Sequence, residues 1–130
     1  MPRRGVTRAA TLARAHGMFN MAGGLWPLIH MRSFEAVLGP KTDRWLVRTV
    51  AGLLVANGLA QFTAEPTPMA LRQARTIGVG TAVTLAAIDL RYAPPGRISR
   101  VYLLDAAAEL AWIVLWCTGK RRGRRRVTHE

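Results

Sequence analysis

Two acids, Asp105 and Glu109, stand one helical turn apart inside "RVYLLDAAAELAWIVLWC", an otherwise apolar stretch covering residues 100 to 117. A carboxyl in such a setting can hold a proton, pair with a cation or hydrogen-bond a polar ligand. At the centre of a lipid-facing helix each would cost about 2.5–3.5 kcal/mol, so both are expected to turn inward. Spaced by four, they share a face with Trp112.

Other polar residues fall at matching depths. At about 1.5 Å per residue, Arg48, Asp89 and Asp105 lie in one outer third of a membrane-sized bundle. An Arg48–Asp105 ion pair is within reach there, whereas the edge position of Arg48 and Asp89 also allows each to snorkel towards water. Glu109, Asn57 and Asn20 lie near the middle, with Thr81 at a similar level. Glu109 has no basic residue at its own depth and is expected to keep its proton. The candidate ligand or proton site is therefore Glu109, Asp105, Arg48, Asn57 and Asn20. A purely structural reading makes the same residues an internal ion pair and interhelical hydrogen bonds worth about 1 kcal/mol each.

Familiar catalytic patterns are missing. There is no nucleotide-binding glycine loop, no Cys/His cluster and no nucleophile with a base nearby, so neither an enzyme nor a cofactor is indicated. His16 and His30 would be about 21 Å apart on one helix and cannot share a metal, and no metal site is expected. Cys117 is the single cysteine, which excludes an intramolecular disulfide.

The elements that position these residues are four apolar segments, at about 12–31, 45–64, 68–90 and 98–117. Each approaches the roughly 20 residues that span a bilayer core. Gly39-Pro40, Thr67 before Pro68, and Pro94-Pro95-Gly96 mark the joints. Short joints make neighbours antiparallel, so the expected fold is an all-α, four-helix up-down transmembrane bundle in a single domain of 1–130. A signal peptide is disfavoured for the first segment because three more apolar segments follow it. His16, Asn20 and Gly24 share a face, as do Gly52, Ala56 and Ala60, and Ala74, Gly78, Ala82 and Ala86, spacings that allow close helix approach. Between the first two segments, Phe34, Val37 and Leu38 can lie on the membrane surface while Glu35 faces water, or the stretch is a plain connecting loop.

Charge sets the orientation. The net charge is +12, and 17 of the 19 basic residues are Arg. With an even number of spans, twelve basic residues fall on the side of the termini and seven opposite, so both termini are expected in the cytoplasm of a bacterium, with the chain in its cytoplasmic membrane. Trp26, Trp45, Tyr92 and Tyr102 then mark the outer interface and Trp116 the inner one. The tail 118–130 carries Lys120, Arg121, Arg122, Arg124, Arg125 and Arg126 directly after the fourth segment. It serves as an orientation signal and is expected to bind anionic lipid head groups.

At "DRWLVRTVAGLLVANGLAQ", residues 43 to 61, the chain resembles small four-helix bacterial membrane proteins of the DoxX-like kind. The resemblance implies an integral membrane protein, with some relatives associated with membrane redox or quinone-linked systems. Only Arg48 and Gly52 carry over from it. The functional expectation is a polar intramembrane site for a small or amphipathic ligand or a proton. Its alternatives are a structural or accessory subunit, whose partner is another membrane protein or a second copy, and a soluble nucleic-acid-binding protein led by the Arg-rich tail. The long apolar segments argue against the last, and nucleic acid is not an expected partner.

Overall fold

The computed structural model describes the backbone of residues 2–127 and the side chains of residues 4–118. Among the described residues the chain is all-α, with five helices and no strand: α1 (Pro2–Ile29), α2 (Met31–Leu38), α3 (Arg44–Phe62), α4 (Pro68–Tyr92) and α5 (Tyr102–Val127). Each of the four apolar segments corresponds to one long helix, but only 68–90 lies wholly inside its helix: α1 stops at Ile29, α3 stops at Phe62 and α5 starts at Tyr102. α2 is an addition to them, built from the stretch for which a surface helix or a loop was expected.

Local chemistry explains where the helices start and stop. Thr67 is extended and its Oγ1 accepts from the Ala70 N–H at 3.3 Å, with Pro68 in the first turn, where its missing N–H costs nothing. His30 starts α2 in the same way, Nδ1 accepting from the Ser33 N–H at 3.2 Å. Gly39 ends α2 at φ +96°, a conformation that only glycine adopts freely. Pro27 falls in the last turn of α1, and the helix continues only to Ile29. At the two basic ends the helices run further than expected: α1 begins at residue 2 and α5 continues to 127. Arg, Lys and Ala are strong helix formers, and no proline interrupts either end.

The long helices alternate in direction. Gly17 and Gly24 of α1 lie against Gly58 and Ala51 of α3, Gln61 and Asn57 of α3 against Ala74 and Thr81 of α4, and Arg8 and His16 of α1 against Thr118 and Trp116 of α5. Each pairing runs in opposite order along its two helices. α3 packs on α1 and α4, while α5 packs chiefly on α4 and α1, which leaves α3 and α5 across the diagonal.

The small-residue faces divide into two cases. Ala74, Gly78, Ala82 and Ala86 of α4 are all buried, as their spacing predicts. Gly52, Ala56 and Ala60 of α3 are exposed instead, and Ala51, Gly58 and Gln61 are the residues that face inward. Among the described residues α3 is the one helix long and apolar enough to cross a membrane by length and composition. The other three expected spans are helical in the structure.

Candidate functional site

The interior combines small apolar residues, mostly alanines, with several buried polar side chains. The largest fully buried side chains are His16, Gln61, Glu109 and Asn20, all polar, and Asp89 is buried with them. Large apolar side chains such as Leu53, Leu104, Val83 and Val114 are more than half exposed or close to it. Buried polar groups must find partners, so their hydrogen bonds define the site.

His16 is the hub. Its Nδ1 accepts from Trp116 Nε1 at 3.0 Å and from Gln61 Nε2 at 3.1 Å. An indole N–H can only donate, so Nδ1 carries no proton and the ring is the neutral form protonated on Nε2. Trp112 stacks on the same ring at a centroid distance of 4.5 Å and an angle of 12°. Gln61 extends the network: its Oε1 accepts from Asn20 Nδ2 at 2.7 Å, and its Nε2 also approaches the Ala74 carbonyl at 3.5 Å. Gly78 makes this convergence possible. A Cβ there would lie 2.5 Å from Gln61 Nε2, 2.8 Å from His16 Nδ1 and 3.0 Å from Trp116 Nε1. Four helices therefore meet at one level around an imidazole.

A second polar layer lies one turn further along. α1 and α5 are antiparallel, so the step from His16 to Asn20 is matched by the step from Trp112 towards Glu109. Glu109 is almost completely buried. Beyond it lie Asp89 of α4, which is buried, and Asp105 of α5, which is half-buried one turn before Glu109. Four buried atoms in these layers have no partner within the protein: His16 Nε2, Asn20 Oδ1, Glu109 Oε2 and Asp89 Oδ2. They comprise one donor, an amide acceptor and two carboxyl oxygens. Among the described residues, no three His, Cys, Asp or Glu side chains are arranged to hold a metal ion.

The five residues expected at the site separate. Glu109 and Asn20 belong to the buried layers, and Asp105 is half-buried. Asn57 lies at the α3–α4 contact, donating to Thr81 Oγ1 at 3.2 Å, and is half-buried. For Arg48 the expected ion pair with Asp105 is corrected, whereas its exposure agrees with the snorkelling reading. The one ion pair among the described residues joins Glu35 to Arg44. The Arg48–Asp105 pair fails because α3 and α5 are not neighbours. Gly52, the other residue carried by the family resemblance, faces open space.

Two further positions differ from expectation. Asp89 does not snorkel but is buried, and Trp116 is not in an interfacial belt but inside the hydrogen-bond network. His16, Gln61 and Gly78 were not singled out as site residues. The available signal was the pairing of two four-residue spacings, His16–Asn20 and Trp112–Trp116, on helices that turn out to be adjacent. The side chains of Lys120, Arg121, Arg122, Arg124, Arg125 and Arg126 lie outside the described residues, although the backbone of α5 continues through them. No protein family, curated protein or solved structure matches this chain.

Proposed function

We propose that the chain is a helical membrane protein, with both termini in the cytoplasm, whose interior binds a small polar ligand or a proton between α1, α4 and α5. One observation carries the reading: the unpartnered atoms His16 Nε2, Asn20 Oδ1 and Glu109 Oε2 are buried on neighbouring turns of adjacent helices. A buried polar atom without a partner costs about 1–3 kcal/mol, so a ligand, water or proton that satisfies several of them binds with that free energy in its favour. Glu109 is the proton-accepting group, and the His16 Nε2–H and Asn20 Oδ1 orient what binds beside it.

The membrane assignment is supported by the burial pattern, in which several polar side chains are buried and many large apolar ones exposed, and by the length and composition of α3. Alkaline carbonate washing of membranes tests this part. The protein is expected to stay in the membrane pellet, and its release would overturn the assignment. Infrared titration of the reconstituted protein tests the binding part. A carboxyl band that responds to pH and disappears in Glu109→Gln is expected, whereas a Glu109 band that never responds would leave the acid a packing residue.

A second reading draws on the outward face of α3. Gly52, Ala56 and Ala60 are exposed at four-residue spacing, with open space over Gly52, a surface that suits close approach by another membrane helix. In this reading the protein is an accessory subunit. Gly52→Leu should then abolish a disulfide-free oligomer seen by cross-linking, and an unchanged pattern would remove the reading.

A further inference from the structure

At the basic end of the bundle, away from the acids, a cleft of about 610 Å³ opens between α1, α4 and α5. Arg8, Arg72 and Arg75 line it together with Leu71, Leu115 and Trp116, and no acidic residue does. The three guanidiniums are weakly engaged. Arg8 Nη2 reaches the Leu115 carbonyl at 3.4 Å and Thr118 Oγ1 at 3.5 Å, both long for such bonds. The buried Nε of Arg75 has no partner, and neither Arg72 nor Arg75 joins the single ion pair among the described residues. Among the described residues these three cations surround one space without a counter-charge, an arrangement suited to an anion. Guanidinium geometry favours a phosphate or carboxylate held through two oxygens.

The walls narrow the class of anion. A bare phosphate would leave the accessible apolar wall of Val6, Leu12 and Leu115 uncovered. The cleft is also of the size that takes whole ligands, about 300–1,000 Å³. An amphiphile satisfies both halves.

We infer that this cleft seats an anionic phospholipid, its phosphate among Arg8, Arg72 and Arg75 and its glycerol and proximal acyl chains against Val6, Leu12 and Leu115, next to the edge of Trp116. The site rests on the membrane assignment above, but it is distinct from the basic tail. Residues 8, 72 and 75 are far apart in sequence and are brought together by the packing of α1 on α4. The bound lipid would also touch the polar interior through one side chain. Trp116 lines the cleft and donates its Nε1–H to His16, so a lipid that shifts the indole also shifts the imidazole.

Trp116 supplies the readout. The full-length protein in detergent micelles is titrated with phosphatidylglycerol and with phosphatidylcholine carrying the same brominated acyl chains, and tryptophan emission is followed. Phosphatidylglycerol is expected to quench at about a tenfold lower mole fraction or less, since each basic residue near a surface favours anionic lipid. Most of that quenching should vanish in Trp116→Phe. The selectivity should be lost in the double variant Arg72→Gln, Arg75→Gln and retained when Arg124, Arg125 and Arg126 are each changed to Gln. If circular dichroism shows that the double variant is unfolded, Arg8→Gln carries the same comparison. Equal quenching by the two lipids, or selectivity that follows the tail rather than the cleft, overturns the proposal. Displacement of the lipid by inorganic phosphate at comparable concentration reassigns the cleft to free anions and overturns it too. Carbonate extraction separates the two levels of failure: a protein retained in the membrane but without lipid selectivity loses only the cleft.

Discussion

His16 and Gly17 are neighbours on α1 that meet opposite kinds of interface. Gly17 meets α3 through backbone alone, and a Cβ there would lie 2.5 Å from the Gly58 carbonyl oxygen and 2.7 Å from the Phe62 nitrogen. His16 meets α3 and α5 through its ring, by hydrogen bonds from Gln61 and Trp116. The seam tolerates no side chain, and the chamber next to it is built from side chains. The seam sets the distance between α1 and α3. That distance in turn determines that Gln61 reaches both His16 and Asn20, a convergence that a shift of an ångström would break.

If the seam sets the geometry, its loss should carry the chamber with it. Gly58→Leu is expected to produce the largest effect, since even a Cβ at this position would meet the Gly17 carbonyl oxygen at 2.6 Å and the Met21 nitrogen at 2.8 Å. Overpacking of this kind costs about 1–3 kcal/mol or more. The measurement is reversible unfolding in mixed micelles, with Gly52→Ala as the control, since nothing lies within 4 Å of a Cβ there. Equal stabilities for the two variants would break the comparison.

His16→Ala attacks the chamber and spares the seam. It leaves the Trp116 indole N–H and the Gln61 amide without their acceptor, at about 1–3 kcal/mol for a buried unsatisfied group, so a loss of about 2 kcal/mol is expected. Trp116 emission should change in the folded protein. An unchanged spectrum would mean that the indole is not anchored by the imidazole.

Glu109→Gln sharpens the distinction between holding the fold and binding within it. The amide keeps the shape of the carboxyl, whose Oε2 has no partner to lose. The unfolding transition should therefore stay within about 0.5 kcal/mol of the original protein, as for a substitution that removes no partnered group. A loss comparable to that of His16→Ala would identify Glu109 as structural.

The smallest effect lies outside both regions. Arg44 grips Glu35 through Nε–Oε1 at 2.7 Å and Nη2–Oε2 at 3.1 Å. That hydrogen-bonded guanidinium, with its charge, holds the Glu35 carboxyl below the ordinary value of 4.5. A depressed carboxyl contributes stability above its unfolded value and loses it as pH falls through the folded value. The pair should therefore hold α2 to α3 unchanged at neutral pH and weaken only below about pH 4.5. A Glu35→Gln variant whose stability still fell with the same acid profile as the original protein would show that Glu35 contributes none of it.

Several features were legible from residue types and spacing. Acids inside an apolar helix must turn inward, and Glu109 does. The small-residue face of α4 is buried in register, and Thr67-Pro68 starts a helix through the expected cap. The Arg48–Asp105 pair is absent because depth alone does not say which helices touch, and the exposed Arg48 fits the alternative of snorkelling. The α3 face was misread because Gly52, Ala56 and Ala60 and the true inward residues Ala51 and Gly58 offer equally small surfaces a short rotation apart.

The amino-acid sequence alone determined the helices, their joints and the inward turn of the acids, because these follow from local propensity, capping and the cost of an uncompensated charge in apolar surroundings. Only the tertiary structure decided that His16, Gln61, Trp116 and Gly78 meet, that Arg8, Arg72 and Arg75 share a cleft, and that Arg48 is left outside. The reason is physical: a hydrogen bond or ion pair depends on distances of a few ångströms between residues up to 110 positions apart, and only the order and rotation of packed helices set those distances.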